Sequence, residues 1–296
     1  MTSLFAPKNN LHPRNSVRKA INFMMLAGTG LCMLLVIIPL IWIMGYVFIK
    51  GAPSLSLGFF TELPTPAGVP GGGLANALVG SAITIGIGLL IAAPIGTLAA
   101  LFMVANSRSR VGLILRFSTD VISGVPSIVM GIFAYTLIVL PQKHFSALSG
   151  GIVLSFIMLP TIVRTMEEML KLVPPSYREG SLALGTSEWR TYLSVVVPAA
   201  INGIITGLML AIARAAGEAA PMLFTAFGNP FMSVSLDQPI ATLPHTIFVY
   251  AISPYPDWQA KAWGTALVLI VLVLTLNILA RILVGIRNRK LGAFQS

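Results

Sequence analysis

Residues 76 to 104 read NALVGSAITIGIGLLIAAPIGTLAALFMV, and not one of them is charged. At 1.5 Å per residue such a run makes a helix of roughly 40 Å, longer than the roughly 30 Å hydrocarbon core of a bilayer. It reads as a membrane span. Five further apolar runs, near 21 to 49, 112 to 141, 150 to 171, 199 to 226 and 262 to 285, read the same way. The expected fold class is therefore an all-α integral membrane protein with six transmembrane helices. Composition agrees: 9% of the 296 residues are charged and 56% are hydrophobic, whereas soluble domains carry about a quarter charged residues. The third span is the least regular, because Asp120, Pro126 and several Ser and Gly interrupt it.

The formal charge of +10 would suit nucleic acid if the cations formed a patch, but they fall in short clusters between apolar runs. Lys8, Arg14, Arg18 and Lys19 precede the first span; Arg108, Arg110 and Arg116 lie between the second and third; Lys171, Arg178 and Arg190 follow the fourth; Arg287, Arg289 and Lys290 follow the sixth. The opposite side holds Lys50, Lys143 and Lys261. The positive-inside bias thus puts both termini in the cytoplasm. The expected layout is a cytoplasmic segment 1–20, a membrane domain 21–290, periplasmic loops at about 50–75 and 227–261, a cytoplasmic loop at about 172–198 and a tail 291–296. Within the second periplasmic loop, residues 241 to 252 have the apolar spacing of a short interfacial helix. The first run is too long for a signal-peptide core and lacks a small-residue cleavage site, so it is expected to stay as an anchor. Cys32 is the single cysteine, and His12, His144 and His245 show no ligand spacing, so neither an intrachain disulfide nor a metal site is expected.

The stretch Ala213-Arg214-Ala215-Ala216-Gly217-Glu218-Ala219-Ala220-Pro221 places two charges inside the fifth apolar run. In one continuous helix Arg214 would fall near mid-span, with Glu218 at i,i+4 on the same face. Charges there cost on the order of 2.5–3.5 kcal/mol each on insertion scales, so they must face protein or water. Two readings stand. The pair neutralises itself or a neighbouring helix, or the guanidinium offers its planar fork to an oxyanion in a central pathway. On the second reading Glu218 accepts a hydrogen bond from the acidic OH of a protonated phosphate, a group that sulfate lacks at neutral pH.

In the fourth span Arg164 precedes Glu167 and Glu168 at i+3 and i+4. That arrangement suits either a helix-stabilising set or a guanidinium reaching a cavity. In the third span Pro126, followed by Ser127, lacks a backbone donor and is expected to kink the helix, as a packing feature or a gate. Asp120 has no expected role. No catalytic residue is expected, and no Gly-x-x-x-x-Gly-Lys-Ser/Thr phosphate cradle occurs, so ATP hydrolysis would need a partner chain.

Between the fourth and fifth spans lie Glu179-Gly180-Ser181, Gly185, Val195 and Val197-Pro198. Physically this is an amphipathic connector, lying on the membrane or docked to a partner. Its spacing resembles the EAA signature of bacterial ABC-importer permeases: Glu-Ala-Ala, three residues, Gly, nine residues, Ile, one residue, Leu-Pro. The resemblance implies two short helices meeting at Gly185 and seated, through residues such as Glu179, on an ATP-binding subunit.

The 213–221 stretch is similar to Ala-Arg-Ala-x-Gly-Glu-Thr-Ala-Pro of phosphate-specific ABC permeases, with Ala219 in place of Thr. Gly124-Val125-Pro126-Ser127-Ile128-Val129 resembles their third-span Gly-Ile-Pro-Ser-Ile-Val. The long first span, the Pro/Gly-rich loop and the Thr-Leu-Pro at 242–244 resemble PstA-type more than PstC-type subunits. This family implies a type I ABC-importer permease fold in the bacterial inner membrane. It also implies a PstC-like permease partner, a PstB-like ATPase dimer carrying ATP and Mg, and a PstS-like phosphate-binding protein. Arg164, Arg214 and Glu218 match the family's charged positions tied to transport. The alternatives are a permease for molybdate or sulfate, an ATP-independent anion transporter, or a scaffold subunit without a pathway.

Overall fold

The computed structural model describes residues 14–292. Lys8, most of the expected N-terminal segment 1–20 and most of the tail 291–296 therefore lie outside the described residues. Contacts divide the chain into two units between Ile49 and Lys50. The first contains nearly all of helix α1 (Arg14–Gly51), an apolar helix with Pro39 inside it.

The second unit opens with a short helix α2 (Leu57–Thr61), capped by the Ser56 hydroxyl, which accepts from the Phe59 amide. Helix α3 (Ala75–Ala105) follows, then α4 (Arg110–Gly124), whose first turn is capped by Ser109. The chain turns into α5 (Ser127–Ala134), which continues through a π turn into α6 (Leu140–Gln142). The long α7 (Ala147–Lys171) comes next. Helix α8 (Pro175–Ala183) and α9 (Glu188–Thr191) form the following loop, and a π turn leads from α9 into α10 (Val197–Ala216). Helices α11 (Ala220–Thr225), α12 (Leu243–Ala251) and α13 (Pro256–Gly292) complete the described chain.

Among the described residues, five helical segments are long and apolar enough to cross a bilayer: Val17–Ser54, Ala75–Ala105, Ala147–Lys171, Glu188–Ala216 and Pro256–Ile286. A sixth arises only if α4 and the segment Ser127–Gln142 are one broken span, bent by 102°. The kink expected at Pro126 in the span 112–141 is thus a full break into two helices. The cause is local. Val125 is extended at ψ 129°, and Pro126, which has no N–H to continue a ladder, becomes the N-cap of α5. Helix α4 turns Leu113, Ile114, Phe117 and Val121 outward and buries Gly112 and Thr119. Asp120, seven residues after Leu113, is exposed on the same outward side.

The fifth span is corrected. Helix α10 ends at Ala216 and helix resumes only at Ala220, so residues 199–226 are not one rod.

Helix α7 is the hub of the core, packed against α3, α4, α5, α10 and α11. Its partner α3 brings small residues to the contact: a Cβ at Gly96 would lie 2.7 Å from Ile162, and one at Gly88 would lie 3.1 Å from Leu154. Such residues let apolar helices approach closely where lipid supplies no hydrophobic drive between them. Met158, Ile162 and Met166 fill the resulting seam and are fully buried. A second cluster, with Phe59, Leu74, Leu243, Tyr250 and Val268, ties the 50–75 loop to α12 and α13. The residues expected to lie as an interfacial helix therefore form α12, which is packed, with Leu243, Pro244, Thr246 and Tyr250 buried. Burial holds the His245 imidazole below its ordinary pKa, so it is uncharged at neutral pH.

Candidate functional site

Helix α7 sets the spacing of the site. Thr161 and Arg164 are three residues apart and share a face, roughly 4.5 Å apart along the axis. From α10, Arg214 Nη1 donates to Thr161 Oγ1 at 3.4 Å. Arg164 is bound by Asp120 of α4 and lies 3.8 Å from Glu167 of its own helix. Two guanidiniums therefore meet neighbouring turns of α7, that of Arg214 at Thr161 and that of Arg164 between Asp120 and Glu167. Arg214 is exposed, and the Arg164 side chain is 41% exposed. Since a guanidinium facing lipid at depth is costly, this side of α7 and α10 meets water or another protein.

Beneath the exposed pair lies a buried one. The Glu167 side chain is 2% exposed and accepts from Arg116 Nε and Lys171 Nζ, each at 2.7 Å. Arg116 also donates to the carbonyls of Met103, at 2.8 Å, and Ser107, at 3.2 Å. One side chain of α4 thus fastens the end of α3, the loop after it, and α7. Replacing Glu167 by Ala would remove the anion that these cations share; a hydrogen bond to a charged group contributes about 1.5–3 kcal/mol, and the loss falls mainly on Arg116, since Lys171 is 53% exposed. The expected outcome is a clear drop in the thermal denaturation midpoint of the purified protein, with Glu167→Gln intermediate. An unchanged midpoint would refute the fastening role.

Arg214 and Glu218 do not share a helix face, contrary to the i,i+4 expectation. After Ala216 the backbone leaves the helix: the amides of Gly217 and Glu218 bond back to the carbonyls of Arg214 and Ala215 at 3.1 and 3.2 Å. Among the described residues the two side chains form no ion pair. Glu218 instead borders a narrow cleft with Ser81 and Thr84 of α3 and Thr242, whose buried hydroxyl is unpartnered. The cleft measures about 10 Å³, room for a water and not for a tetrahedral oxyanion. The break falls at the end of the apolar segment Glu188–Ala216.

Pro126 and Ser127 lie at the 102° break. No hydrogen bond ties Ser127 to Arg164 or Arg214 among the described residues. Asp120, one turn before Gly124, is the residue that joins this region to Arg164. Sequence reasoning missed three members of the site. Asp120 was visible as a charge in an apolar run, but Arg116 was counted as a topology signal and Thr161 carried no signal.

In the 172–198 loop, Glu179 lies on α8 and Gly185 turns the chain at φ +82°, a conformation that favours glycine. Arg178 pairs with Glu188 at 3.1 Å, and the hydroxyls of Ser181 and Thr191 meet at 2.9 Å, so α8 and α9 are held together. Leu184, at the tip, is 88% exposed. Val195 lies in the π turn, and Val197 and Pro198 open α10. No group of three or more His, Cys, Asp or Glu is placed to hold a metal among the described residues.

Residues 92–292 match the family described as "Binding-protein-dependent transport system inner membrane component". A Yersinia pestis protein described as "Phosphate transport system permease protein PstA" is 45% identical over 245 residues, covering 82% of this chain and 83% of its own length. A Haemophilus influenzae protein of the same description is 42% identical over 276 residues, covering 93% and 98%. In fold, the chain is similar to a subunit of the inward-facing MetNI methionine ABC transporter, with a TM-score of 0.58 at 16% identity over 72% of this chain and 93% of that one.

Proposed function

This chain belongs to the inner membrane components of binding-protein-dependent transport systems, and among them to the PstA phosphate permeases; from that premise we propose that Arg214, Thr161 and Arg164 line the path taken by phosphate. It is a multi-pass inner membrane permease that works with other components of a phosphate ABC transporter, and the ATPase is a separate subunit. The observation that carries the reading is a pair of solvent-accessible guanidiniums, Arg214 at Thr161 and Arg164 three residues further along α7, in segments otherwise apolar enough to span a bilayer. Planar guanidinium forks suit a tetrahedral oxyanion and spread its charge over several donors.

The face that carries the pair is completed by a second permease of the PstC type. The path runs from the Glu218 level, at the break between α10 and α11, past Arg214 and Thr161 to Arg164. Glu218 accepts from the acidic OH of a protonated phosphate once the cleft beside it widens. Pro126 and Ser127, at the bend of the third span, move with that opening. A PstS-like protein delivers phosphate to the periplasmic loops. A PstB-like ATPase dimer binds ATP and Mg, and the α8–α9 loop with Glu179 and Gly185 seats on it. Both termini are cytoplasmic, as the cation clusters favour.

Cys32 is the single cysteine, so a Cys32→Ala background allows the path to be probed directly. In that background and in the assembled complex, Thr161→Cys is expected to react with a membrane-impermeant anionic thiol reagent and to be slowed by phosphate. A cysteine there that stays inert in every nucleotide state would place the pair in a sealed contact and reject the reading.

A further inference from the structure

We propose that Asp120 is a built-in competitor for the anion position at Arg164, and that it keeps phosphate from re-entering the path from the cytoplasmic end. The inference rests on the preceding reading of Arg164 as a path residue and deepens it. A carboxylate and a phosphate offer the same thing to a guanidinium, two oxygens in the plane of its fork, and they compete for the same N–H groups. Arg164 Nη2 donates to one oxygen of the Asp120 carboxylate, while Nη1 lies 3.8 Å from Glu167.

Three observations make Asp120 a displaceable occupant and not a structural fastener. Its side chain is 55% exposed and that of Arg164 is 41% exposed, whereas Glu167 is 2% exposed. An exposed pair contributes little to stability and yields readily to another anion. Helix α4 is already held to α7 and α3 by Arg116, through Glu167 and the Met103 carbonyl, without help from Asp120. Asp120 also occupies the last turn of α4, immediately before the bend of 102°, so a change in the bend changes its distance from Arg164.

Charge counting gives the direction. The cluster holds three cations, Arg116, Arg164 and Lys171, against three carboxylates, Asp120, Glu167 and Glu168. Three minus three leaves no net charge; neutralising Asp120 leaves one net positive charge. With Asp120 in place, Arg164 has little to offer phosphate waiting on the cytoplasmic side.

The test uses the complete transporter in proteoliposomes supplied with ATP at the face bearing the ATPase, with either millimolar phosphate or equal chloride on that same face. The readout is the ratio of transport under the two conditions. In the wild type the ratio is expected to stay close to unity. In Asp120→Asn and Asp120→Ser it is expected to fall about fivefold, as removal of a competing exposed ion pair allows, and Asp120→Glu is expected to restore the wild-type ratio. Neutral variants that transport equally well under both conditions overturn the proposal, as does an equal loss in both or a failure of both variants to assemble, each of which makes Asp120 a fastener. Arg164→Gln separates this failure from that of the underlying reading: wild-type transport by Arg164→Gln removes Arg164 from the path, whereas its loss alongside insensitive Asp120 variants removes only the competitor role.

Discussion

Arg214→Ala is expected to abolish phosphate uptake by an assembled transporter. The side chain is exposed, and its hydrogen bond within the chain is a long 3.4 Å contact to Thr161, so little of the packing depends on it. Its backbone sits in the last turn of α10 between the buried Ala211 and Ala215, which alanine continues without strain. Truncation therefore removes a charge and a fork without opening a core cavity. Losing a hydrogen bond between charged groups from a binding site costs about 1.5–3 kcal/mol, or roughly one to two orders of magnitude in occupancy. Uptake by the purified and reconstituted complex is the measurement, with co-purification of the other subunits as the control for assembly. Arg214→Lys is expected to recover only part of the activity, because an ammonium is a point charge without the planar fork. Wild-type uptake by Arg214→Ala would remove this guanidinium from the transport mechanism.

The second large effect is expected at the turn between α8 and α9. Gly185 has φ +82° and open space around the position of a would-be Cβ, so conformation and not crowding demands glycine. A β-branched residue is a steric outlier there, costing on the order of 1–2 kcal/mol, and the turn relieves it by moving α8 against α9. Gly185→Val is expected to lower uptake about tenfold while the partner ATPase keeps hydrolysing ATP, since a displacement worth roughly 1.4 kcal/mol changes the population of the seated loop tenfold. Gly185→Asn tolerates the left-handed region and is expected to stay near wild type. Paired measurement of phosphate uptake and ATP hydrolysis checks this. Equal activity of the Val and Asn variants would show that the loop does not depend on the geometry of its turn.

Both effects follow from positions that were legible before any coordinates. Arg214 stood out as a charge in an apolar run, and Gly185 as a fixed offset from Glu179 and Pro198. The partners of these groups were not legible in the same way. Arg164 was read with Glu167 and Glu168 because helical periodicity exposes neighbours three and four residues away, yet the carboxylate on its fork belongs to Asp120, 44 residues earlier in the chain. Glu167 was read as the i+3 partner of Arg164, which it is at 3.8 Å, but its closer partners are Arg116 and Lys171, beneath which it is buried. Arg116 was counted as a cytoplasmic charge, although its guanidinium joins three segments.

The sequence by itself determined the solvent of this protein, the approximate number and order of its spans, the side favoured by its cations and the family of its loop and charged motifs. These are properties of composition and local period: lipid requires long apolar runs whatever lies beside them, and insertion responds to charge counted along the chain. The tertiary structure alone decided where helices stop. It ended α10 at Ala216, set the kink expected at Pro126 to a bend of 102°, seated α12 in the core and matched Asp120 with Arg164. Each of these depends on which surface faces which across the bundle, because a backbone break or a charge inside a membrane is permitted only where neighbouring segments or water satisfy it, and hydropathy carries no record of neighbours.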